Sequence, residues 1–445
     1  MGRTWPVPRR FSDVPAAAVI RSLLGARPGE ERAVALAFSY FFLLLCSYYL
    51  LRPVRDAMAA TAGLGRLPLL FTATFLVMVA ITPMFGALVA RVSKRRLLPV
   101  VYGFFAANLL AFFVAFRLDP GSAVTAATFF VWLSVFNMFV VSVFWSFMAD
   151  VFRGEEAKRL YGPIAAGGSA GAIVGPLLTH WVAEGIGTAG LVFISMSLLL
   201  ATVPCIRALA HWSVERHGEP PGTAAESAEP IGGGFLAGVT LLARSPYLLG
   251  IAAVVALGSV VGTFMYLELQ KLASAMYADT GARTAFFARL DLAVNVVALV
   301  LQGVVTMRLI RRIGLTGALV TMPVIALGSF VWLVLAPFLI PLAVTQVVRR
   351  SGEFGVAKPS REVLFTAVDP ETKYKAKNFI DTVIQRGSDM GASWLHGLLQ
   401  AKGMLLAGFG TLSGGVMVVL VGVGVALGRA YARQEGAAGP ASPGS

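Results

Sequence analysis

Charged residues are scarce in this 445-residue chain: 13% are Asp, Glu, Lys or Arg, whereas 57% are hydrophobic. Cysteine is rarer still, since Cys46 and Cys205 are the only two and both lie inside apolar runs. We expect them to be small core residues, so neither a disulfide framework nor a thiolate metal site is indicated. The four histidines are scattered and lack the spacing of metal ligands. We therefore expect no metal and no cofactor.

Motifs for enzymatic chemistry and for nucleotide hydrolysis are missing as well. No Gly-x-x-x-x-Gly-Lys-Ser/Thr segment exists, so nothing indicates a phosphate-cradling loop that drives ATP hydrolysis. No Ser/His/Asp or Cys/His arrangement supports a catalytic site, and we expect that the protein is not an enzyme. The formal net charge is +14, but no Lys/Arg block with interleaved aromatics stands outside the apolar runs, so we expect no nucleic-acid partner.

Long hydrophobic runs fill the sequence from Ala33 onward. Each is roughly 20 residues long, the length at which a helix crosses a hydrocarbon core of about 30 Å. The runs must be helical, because a strand edge or loop that faces lipid would leave backbone N–H and C=O groups unpaired. The sequence thus predicts an all-α integral membrane protein, embedded in a lipid bilayer, with about twelve transmembrane helices. The predicted spans are 33–60, 68–91, 97–117, 123–150, 161–183, 188–210, 246–272, 284–308, 315–335, 337–365, 376–400 and 403–428.

Short basic loops alternate along the chain and predict its topology. By the positive-inside rule the side that carries them is cytoplasmic, so we expect a multi-pass protein of the inner membrane with both termini in the cytoplasm. The N-terminal segment is basic and lacks the hydrophobic region of a signal peptide, so the first span should be retained. The basic loops are “RVSKRR” (91–96), “FRGEEAKR” (152–159), “RLIRR” (308–312) and “KYKAK” (373–377).

The middle of the chain, 213–234, is polar, rich in Pro and Gly, and without apolar periodicity. This composition predicts a flexible cytoplasmic linker between two six-helix halves. The predicted organisation is a cytoplasmic N-terminal segment (1–32), an N-terminal six-helix bundle (33–211), a linker (212–245), a C-terminal six-helix bundle (246–428) and a cytoplasmic tail (429–445).

The two halves resemble each other in sequence at a constant shift of 216 positions. One offset that aligns a basic loop, an acidic loop and a glycine pair indicates duplication. Two pseudo-symmetric six-helix bundles with a binding site between them form the major facilitator organisation of secondary transporters. The pairs related by the shift include Arg95/Arg311, Arg96/Arg312, Glu155/Glu371, Gly171/Gly387 and Gly175/Gly391.

Charged residues nevertheless occur inside several predicted spans. Each costs roughly 2.5–3.5 kcal/mol at the centre of a lipid-exposed helix, so most must face protein or a water-filled cavity. An ion pair between helices or an anchor at the membrane surface would explain any one of these charges equally well. Because the charges are concentrated on spans 1, 7, 10 and 11, a cavity is favoured. The residues are Arg52, Arg55, Asp56, Glu268, Lys271, Asp291, Arg349, Arg350, Glu353, Lys358, Lys377, Asp381, Arg386 and Asp389.

The spacing and sign of these charges predict the ligand. Members four residues apart share a helix face and are expected to neutralise each other in part, as in Arg52/Asp56, Arg349/Glu353 and Lys377/Asp381. The set holds eight Arg or Lys and six Asp or Glu, which leaves a modest cationic surplus. Arginine offers planar, bidentate donors for phosphate or carboxylate. A phosphorylated or other organic anion is therefore favoured over a cation or a neutral molecule.

Three segments resemble the ATP/ADP translocase family of plastids and obligate intracellular bacteria. They are “YYLLRPVRD” (48–56), “SVFWSFMADVFRGEEAKRLY” (142–161) and “SREVLFTAVDPETKYKAKNFID” (360–381), and they occur in the family's order over most of the chain. The resemblance implies a major-facilitator-like nucleotide antiporter with twelve helices. Such a carrier exchanges ATP for ADP, often with phosphate, and uses no hydrolysis.

The resemblance also implies roles for individual residues. The charged motif of the family's first span ends in a Lys-Asp pair, which matches Arg55 and Asp56. Its Glu-containing segment on the seventh span matches Glu268, with Lys271 nearby. Its lysine-rich loop before the eleventh span matches 373–377.

Some positions depart from the family pattern. The family's lysine is Arg55 here, and an acidic residue expected before the Phe-Trp pair falls near Leu133, where the chain has no carboxylate. Many members carry a Gly-x-x-x-Asn pattern where this chain has “AAGGSAGAIVGP” (165–176). Among the properties of the family, adenine recognition and the choice between ATP and ADP are therefore the ones that the resemblance supports least for this chain.

Taken together, the residues and the resemblance predict a monomeric secondary transporter that exchanges nucleotides by alternating access. Substrate would replace ion pairs inside the protein, so the loaded carrier would reorient more readily than the empty one. The predicted phosphate contacts are Arg52, Arg55, Lys271 and Lys377, and the carboxylates that orient them are Asp56, Glu268 and Asp381. The residues expected to fasten a cytoplasmic gate or to set topology are Arg95, Arg96, Arg311 and Arg312.

Two alternative functions stay open at this point. A proton-coupled exporter of another small molecule would use Asp56, Glu268 or Asp291 as a titrating carboxylate, and its flux would follow a pH gradient without counter-substrate. A membrane receptor or partner protein on a carrier fold would bind a ligand without transporting it, which would appear as saturable binding with no flux in liposomes.

The predicted topology can be tested at the linker. A cysteine introduced at Ser227 should not react with a membrane-impermeant thiol reagent in intact cells, because the basic loops assign the linker to the cytoplasm. The same cysteine should react after the cells are permeabilised. Labelling of Ser227→Cys in intact cells would contradict the predicted orientation.

Overall fold

The computed structural model describes residues 26–91, 94–218 and 237–437. In these ranges the chain forms twelve long helices and no strand. A helix is found at each of the twelve predicted spans, with ends that differ by up to nine residues. The helices are α1 Glu31–Ala62, α2 Leu67–Arg91, α3 Lys94–Leu118, α4 Ala123–Val151, α5 155–186, α6 188–217, α7 Pro246–Met276, α8 280–313, α9 315–335, α10 339–364, α11 370–401 and α12 Leu406–Ala437.

Several short elements complete the helical order. A short helix, Ala237–Arg244, precedes α7, and single 3₁₀ turns at Leu64–Arg66 and Phe365–Ala367 follow α1 and α10. Much of the predicted linker and parts of the predicted cytoplasmic segments, 1–25, 219–236 and 438–445, lie outside the described residues, so the cytoplasmic placement of these segments stays a prediction.

Two glycines divide what would otherwise be continuous helices. Gly187 has φ 64° and separates α5 from α6, and Gly314 has φ 71° and separates α8 from α9. A side chain in this left-handed region would be strained, so glycine permits both reversals. Each helix therefore runs antiparallel to the next, and α1 begins at the same end of the bundle where α12 finishes. We call this the terminal end.

Hydropathy separates two helices from the rest. Among the described residues, eight helical stretches are long and apolar enough to cross a bilayer, and two of these, Glu155–His217 and Thr280–Leu335, each hold two of the twelve helices. The eight stretches do not include α10 and α11. Both are rich in charge, and charge is tolerated at membrane depth only where a helix faces protein or water. Their low hydropathy thus indicates that α10 and α11 line an internal cavity.

The first half is held together by close packing of α1 against α5. A Cβ atom added to Gly167 or Gly171 would collide with the carbonyl oxygens of Phe38 and Phe42, and one on Gly175 would lie 2.9 Å from the oxygen of Cys46. Small residues let two membrane helices approach until their backbones touch, which is the packing expected for these glycines.

Gly387 and Gly391 of the second half, which the sequence repeat aligns with Gly171 and Gly175, pack differently. A Cβ on Gly387 would meet only Phe75 of α2, at 3.5 Å, and one on Gly391 would meet nothing within 4 Å. Equivalent residues are thus compressed in α5 and have room in α11. The sequence similarity between the halves does not extend to equal packing at these positions.

At the terminal end an ion-pair cluster ties the start of α1 to α5 and α6. Arg159 donates hydrogen bonds of 2.8 and 2.9 Å to the buried Glu30, and Arg216 lies 3.8 Å from the same carboxylate. The hydrogen bond from Arg159 is the main reason that the pKa of Glu30 lies below its ordinary value. The cluster fixes the ends of three helices relative to each other.

Several side-chain contacts join the two halves at mid-depth and toward the end opposite the termini. The Asn295 amide of α8 donates to the Ala172 carbonyl of α5 over 2.7 Å. The Trp394 indole of α11 donates to the Thr72 hydroxyl of α2 over 3.0 Å. These contacts pair α5 with α8 and α2 with α11, so the halves meet along two matched seams.

The packing of α1 on α5 can be tested by adding a methyl group to a compressed glycine. Gly171→Ala should lower the free energy of unfolding by about 1–3 kcal/mol, because overpacked side chains force helices apart. The fall should appear as a lower melting temperature of the protein in detergent. Gly391→Ala adds the same methyl group in open space and serves as the control, so equal melting temperatures for the two variants would contradict the packing account.

Candidate functional site

A cavity of about 350 Å³ lies between the two halves. Its walls come from α1, α2 and α4 in the first half and from α7, α8, α10 and α11 in the second. The second half supplies most of the lining. The two charge-rich helices, α10 and α11, both contribute to it, as their hydropathy indicates.

The cavity combines charged and aromatic walls. Its lining contains seven Arg or Lys and four Asp or Glu, so cationic side chains are in excess. The basic residues are Arg52, Arg55, Arg349, Arg350, Lys358, Arg361 and Arg386, the acidic ones are Asp56, Glu353, Asp381 and Asp389, and the aromatic ones are Phe71, Phe130, Tyr266, Phe287 and Phe354.

One buried carboxylate links the halves beside this cavity. Asp291 of α8 is 1% exposed and accepts a hydrogen bond of 2.7 Å from Arg350 of α10. Its second oxygen lies 3.6 Å from Nε of Arg52 on α1, a contact too long for a hydrogen bond. A charge in a low-dielectric interior is tolerated when it is paired, and Asp291 is the counter-charge of two arginines, one from each half.

A second cluster crosses between α1 and α7. Arg55 donates from Nε and Nη2 to Oδ1 of its neighbour Asp56 over 3.0 and 2.7 Å, and Tyr266 donates to the same oxygen over 3.2 Å. The Arg55 guanidinium also lies 5.1 Å from the centre of the Phe130 ring. Arg55 is therefore held by a carboxylate on one side and by an aromatic face on the other.

Helix α10 presents a polar stripe to the cavity. Arg349 donates from Nε and Nη2 to Oε1 of Gln346 over 3.2 and 3.0 Å, and Arg361 donates to Glu353 over 3.1 Å. A π-helical turn, Glu353–Ala357, interrupts α10 between these pairs. Such turns are uncommon in α-helices and occur frequently at functional sites.

The structure brings together four of the seven residues predicted to bind substrate. Arg52, Arg55, Asp56 and Asp381 line the cavity, whereas the other three lie outside its lining. Lys377 is the first of these, and its ammonium lies 2.6 Å from Glu362 of α10. This pair joins the terminal ends of α10 and α11.

Glu268 and Lys271 are the other two predicted residues outside the lining. Glu268 is 1% exposed, and its Oε1 lies 2.8 Å from Nε2 of His396 on α11. Its other carboxylate oxygen lies 4.0 Å from the Lys271 ammonium. Glu268 follows the cavity residue Tyr266 by two positions, which is more than half a turn around a helix of 3.6 residues per turn. The seventh helix thus directs Tyr266 to the cavity and Glu268 away from it.

Several charges that lie four residues apart on one helix have a closer ion-pair partner elsewhere. Across the described residues, Arg52 contacts Asp291 and not Asp56, Glu353 pairs with Arg361, and Lys377 pairs with Glu362. A spacing of four residues shows that two side chains share a face but cannot show which charge approaches from another helix.

Several lining residues were missed or left without a role by the sequence reasoning, among them Arg349, Arg350, Glu353, Lys358 and Arg386, which were counted only among the charges. Arg361 and Tyr266 were not singled out, and Asp389, which accepts a hydrogen bond of 3.2 Å from Thr263, was counted only among the charges. Arg361 follows Lys358 by three residues, so extending the charged face of α10 would have found it. No sequence signal marked Tyr266.

The predicted gate residues lie at the terminal end. Arg311 and Arg312 are exposed at the end of α8, just before the break at Gly314. The side chains of Arg95 and Arg96 lie outside the described part of the structure. Their role in gating or topology stays a prediction.

Comparisons with known proteins support the similarity noted from the sequence. The “ADP,ATP carrier protein 1” of Chlamydia muridarum is 24% identical over 322 residues, and that of Chlamydia trachomatis is 24% identical over 323. The first match covers 64% of this chain and 60% of the relative. The chain therefore spans less than two thirds of the curated relatives it matches.

Solved structures and a family profile define the fold. A bacterial homologue of the iron transporter ferroportin in an inward-facing state matches with a TM-score of 0.65 and 13% identity, covering 89% of this chain and 98% of that one. A point mutant of the nucleoside transporter NupG matches with a TM-score of 0.62 and 12% identity, covering 90% and 99%. The profile matches residues 17–352. Twelve helices in two halves around a charged cavity, together with this profile, show that the chain belongs to the Major Facilitator Superfamily.

Proposed function

We propose that this transporter exchanges phosphorylated nucleotides across the inner membrane by alternating access. The excess of Arg and Lys over Asp and Glu in the cavity lining carries the proposal, because such a site favours an anion. Similarity to the ADP,ATP carriers of Chlamydia supports a nucleotide as that anion. The aromatic lining suits a nucleobase, whose flat face stacks on rings such as Phe71 and Tyr266.

Exchange follows from the way the two halves are joined. The contacts of Arg52 with Asp291 and of Tyr266 with Asp56 both cross from one half to the other. An anion in the cavity competes with Asp291 for Arg52 and weakens that crossing pair. The loaded carrier can then reorient, whereas the empty carrier must break the pair without compensation. Nucleotide on one side is therefore needed to return the carrier from the other.

The orientation proposed for this cycle has both termini in the cytoplasm, as the basic loops indicate. Phosphate transfer plays no part in it, since binding energy alone biases the two states. The carrier would act as a monomer, with the site built between the two halves of one chain.

A second candidate function is proton-coupled transport of another small molecule. The Glu268–His396 pair supports it, because both side chains are buried and lie outside the cavity. The His396 ring also stacks on Phe409, with ring centres 4.2 Å apart. Buried Asp, Glu and His side chains inside membrane-spanning helices form the proton relays of pumps and transporters, which is why this pair supports the alternative. Uptake is driven by a counter-substrate in nucleotide exchange and by a proton gradient in the second candidate function.

Transport in liposomes distinguishes these functions. Uptake of labelled ATP should require unlabelled ADP or ATP inside the vesicles, since the empty carrier reorients slowly. Equal uptake into empty and preloaded vesicles would remove the exchange mechanism. Uptake that follows an imposed pH gradient without internal nucleotide would favour the proton-coupled candidate.

The crossing pair can be tested by removing its carboxylate. Asp291→Asn leaves Arg52 and Arg350 without their shared counter-charge, and breaking a buried pair costs about 3–5 kcal/mol of stability. The melting temperature of the substrate-free variant should therefore fall. Added ADP should raise it by more than it raises the melting temperature of the wild type, because the anion replaces the lost carboxylate. Wild-type melting behaviour with and without ADP would show that Asp291 does not compete with substrate.

A further inference from the structure

The cationic side chains of the cavity differ in what compensates their charge. Most of the arginines lie beside a carboxylate within the described residues. The pairs are Arg55 with Asp56 at 2.7 Å, Arg350 with Asp291 at 2.7 Å, Arg52 with Asp291 at 3.6 Å, Arg361 with Glu353 at 3.1 Å and Arg386 with Asp389 at 3.7 Å. Arg349 is the exception among the arginines, since no carboxylate in the described part of the chain forms an ion pair with it. Lys358 of the lining forms no ion pair there either, but its ammonium lacks the planar fork of an arginine.

The partner that Arg349 does have orients it without neutralising it. Its two side-chain hydrogen bonds within the described residues, from Nε and Nη2, both end on Oε1 of Gln346, a neutral side chain that is 3% exposed. Within the described residues, Nη1 donates to no side chain. One edge of the guanidinium is thus fixed, and donors remain for a ligand in the cavity that Arg349 lines.

The opposite wall of the cavity is shaped to accept this guanidinium. A Cβ atom on Gly262 of α7 would lie 3.1 Å from Nη1 of Arg349 and 3.4 Å from Cζ. Glycine at this position therefore leaves the space that the head group occupies. Gln346 thus orients Arg349 by hydrogen bonds, and Gly262 leaves room for its head group.

The cost of burying a charge indicates that Arg349 lacks an anionic partner among the described residues. A cation removed from bulk water is costly unless an anion or well-placed acceptors compensate it. A fixed arginine is suited to phosphate, because its planar fork can donate two parallel hydrogen bonds to two oxygens. The other arginines can bind an anion only after their own carboxylates release them.

We propose that Arg349 is the residue that binds the phosphate of the incoming substrate in the resting cavity. Arg349 binds first, and Arg52 exchanges Asp291 for the same anion only as the halves begin to move. This assignment rests on the nucleotide exchange proposed above and adds which residue recognises the phosphate. The nucleoside part contributes affinity through the aromatic wall and does not contact Arg349.

The test compares ligands that differ only in phosphate content. Purified full-length protein is titrated with adenosine, AMP, ADP, ATP and inorganic phosphate, and binding is measured by calorimetry. Arg349→Gln should weaken binding of ADP and ATP by about 10- to 100-fold, the worth of a charge-assisted hydrogen-bonded contact. Adenosine should bind the variant and the wild type equally. Arg349→Lys should retain part of the affinity, because it keeps the charge but loses the fork.

Two further variants separate recognition from a structural effect. Gly262→Ala should weaken ADP binding by displacing the guanidinium, whereas Gly391→Ala, which meets nothing within 4 Å, should not. Arg429→Gln removes an exposed arginine on α12 and should leave both melting temperature and ADP affinity unchanged.

The outcomes that overturn the proposal are distinct. If Arg349→Gln weakens adenosine and ADP binding equally, Arg349 acts on the structure of the cavity and not on phosphate. If the variant binds ADP like the wild type, another residue recognises the phosphate, and nucleotide exchange itself still stands. If the wild type binds none of the nucleotides, both the proposed exchange and this assignment are wrong.

Discussion

The architecture of the site depends on one constraint, that a charge inside the membrane must be paired or must face water. Asp291 satisfies it by serving Arg350 from its own half and Arg52 from the other. Because the two arginines come from α10 and α1, this single carboxylate links the two halves beside the cavity. In the proposed exchange, an anionic substrate takes the place of Asp291 and releases this contact. Stability and transport would then use the same pair of charges.

The two halves differ in helix packing and in how much of the cavity lining they supply. In the first half α1 and α5 pack with backbone contact at Gly167 and Gly171, which suits a rigid scaffold. The described π-helical turns, Leu301–Thr306, Glu353–Ala357 and Ile380–Ile384, all lie in the second half. Thr306 donates to the carbonyl of Gly355, so two of these turns pack against each other. The second half also supplies most of the cavity lining, which places irregular helix geometry beside the site.

Recognition of an anion needs at least one cation that is ready to accept it. Compensated arginines give the cavity stability, but each must leave a carboxylate before it can contact a substrate. Arg349 differs because Gln346 positions it and Gly262 gives it room, while no carboxylate of the described residues forms an ion pair with it. A neutral partner of this kind lets a protein orient a cation and keep it available. The same helix carries paired and unpaired arginines side by side, so sequence position alone does not assign their roles.

Hydrophobic length by itself determined ten of the twelve helices, because a bilayer requires each spanning segment to satisfy its own backbone hydrogen bonds. Charge inside those helices was sufficient to predict a cavity lined by Arg52, Arg55 and Asp56. The tertiary structure decided the rest. The partner of Arg52 lies on α8, and Glu268 turns away from the cavity toward His396. Periodicity along one helix fixes which residues share a face, but pairing energy depends on distances of a few ångströms between helices, and only the packed bundle sets those distances.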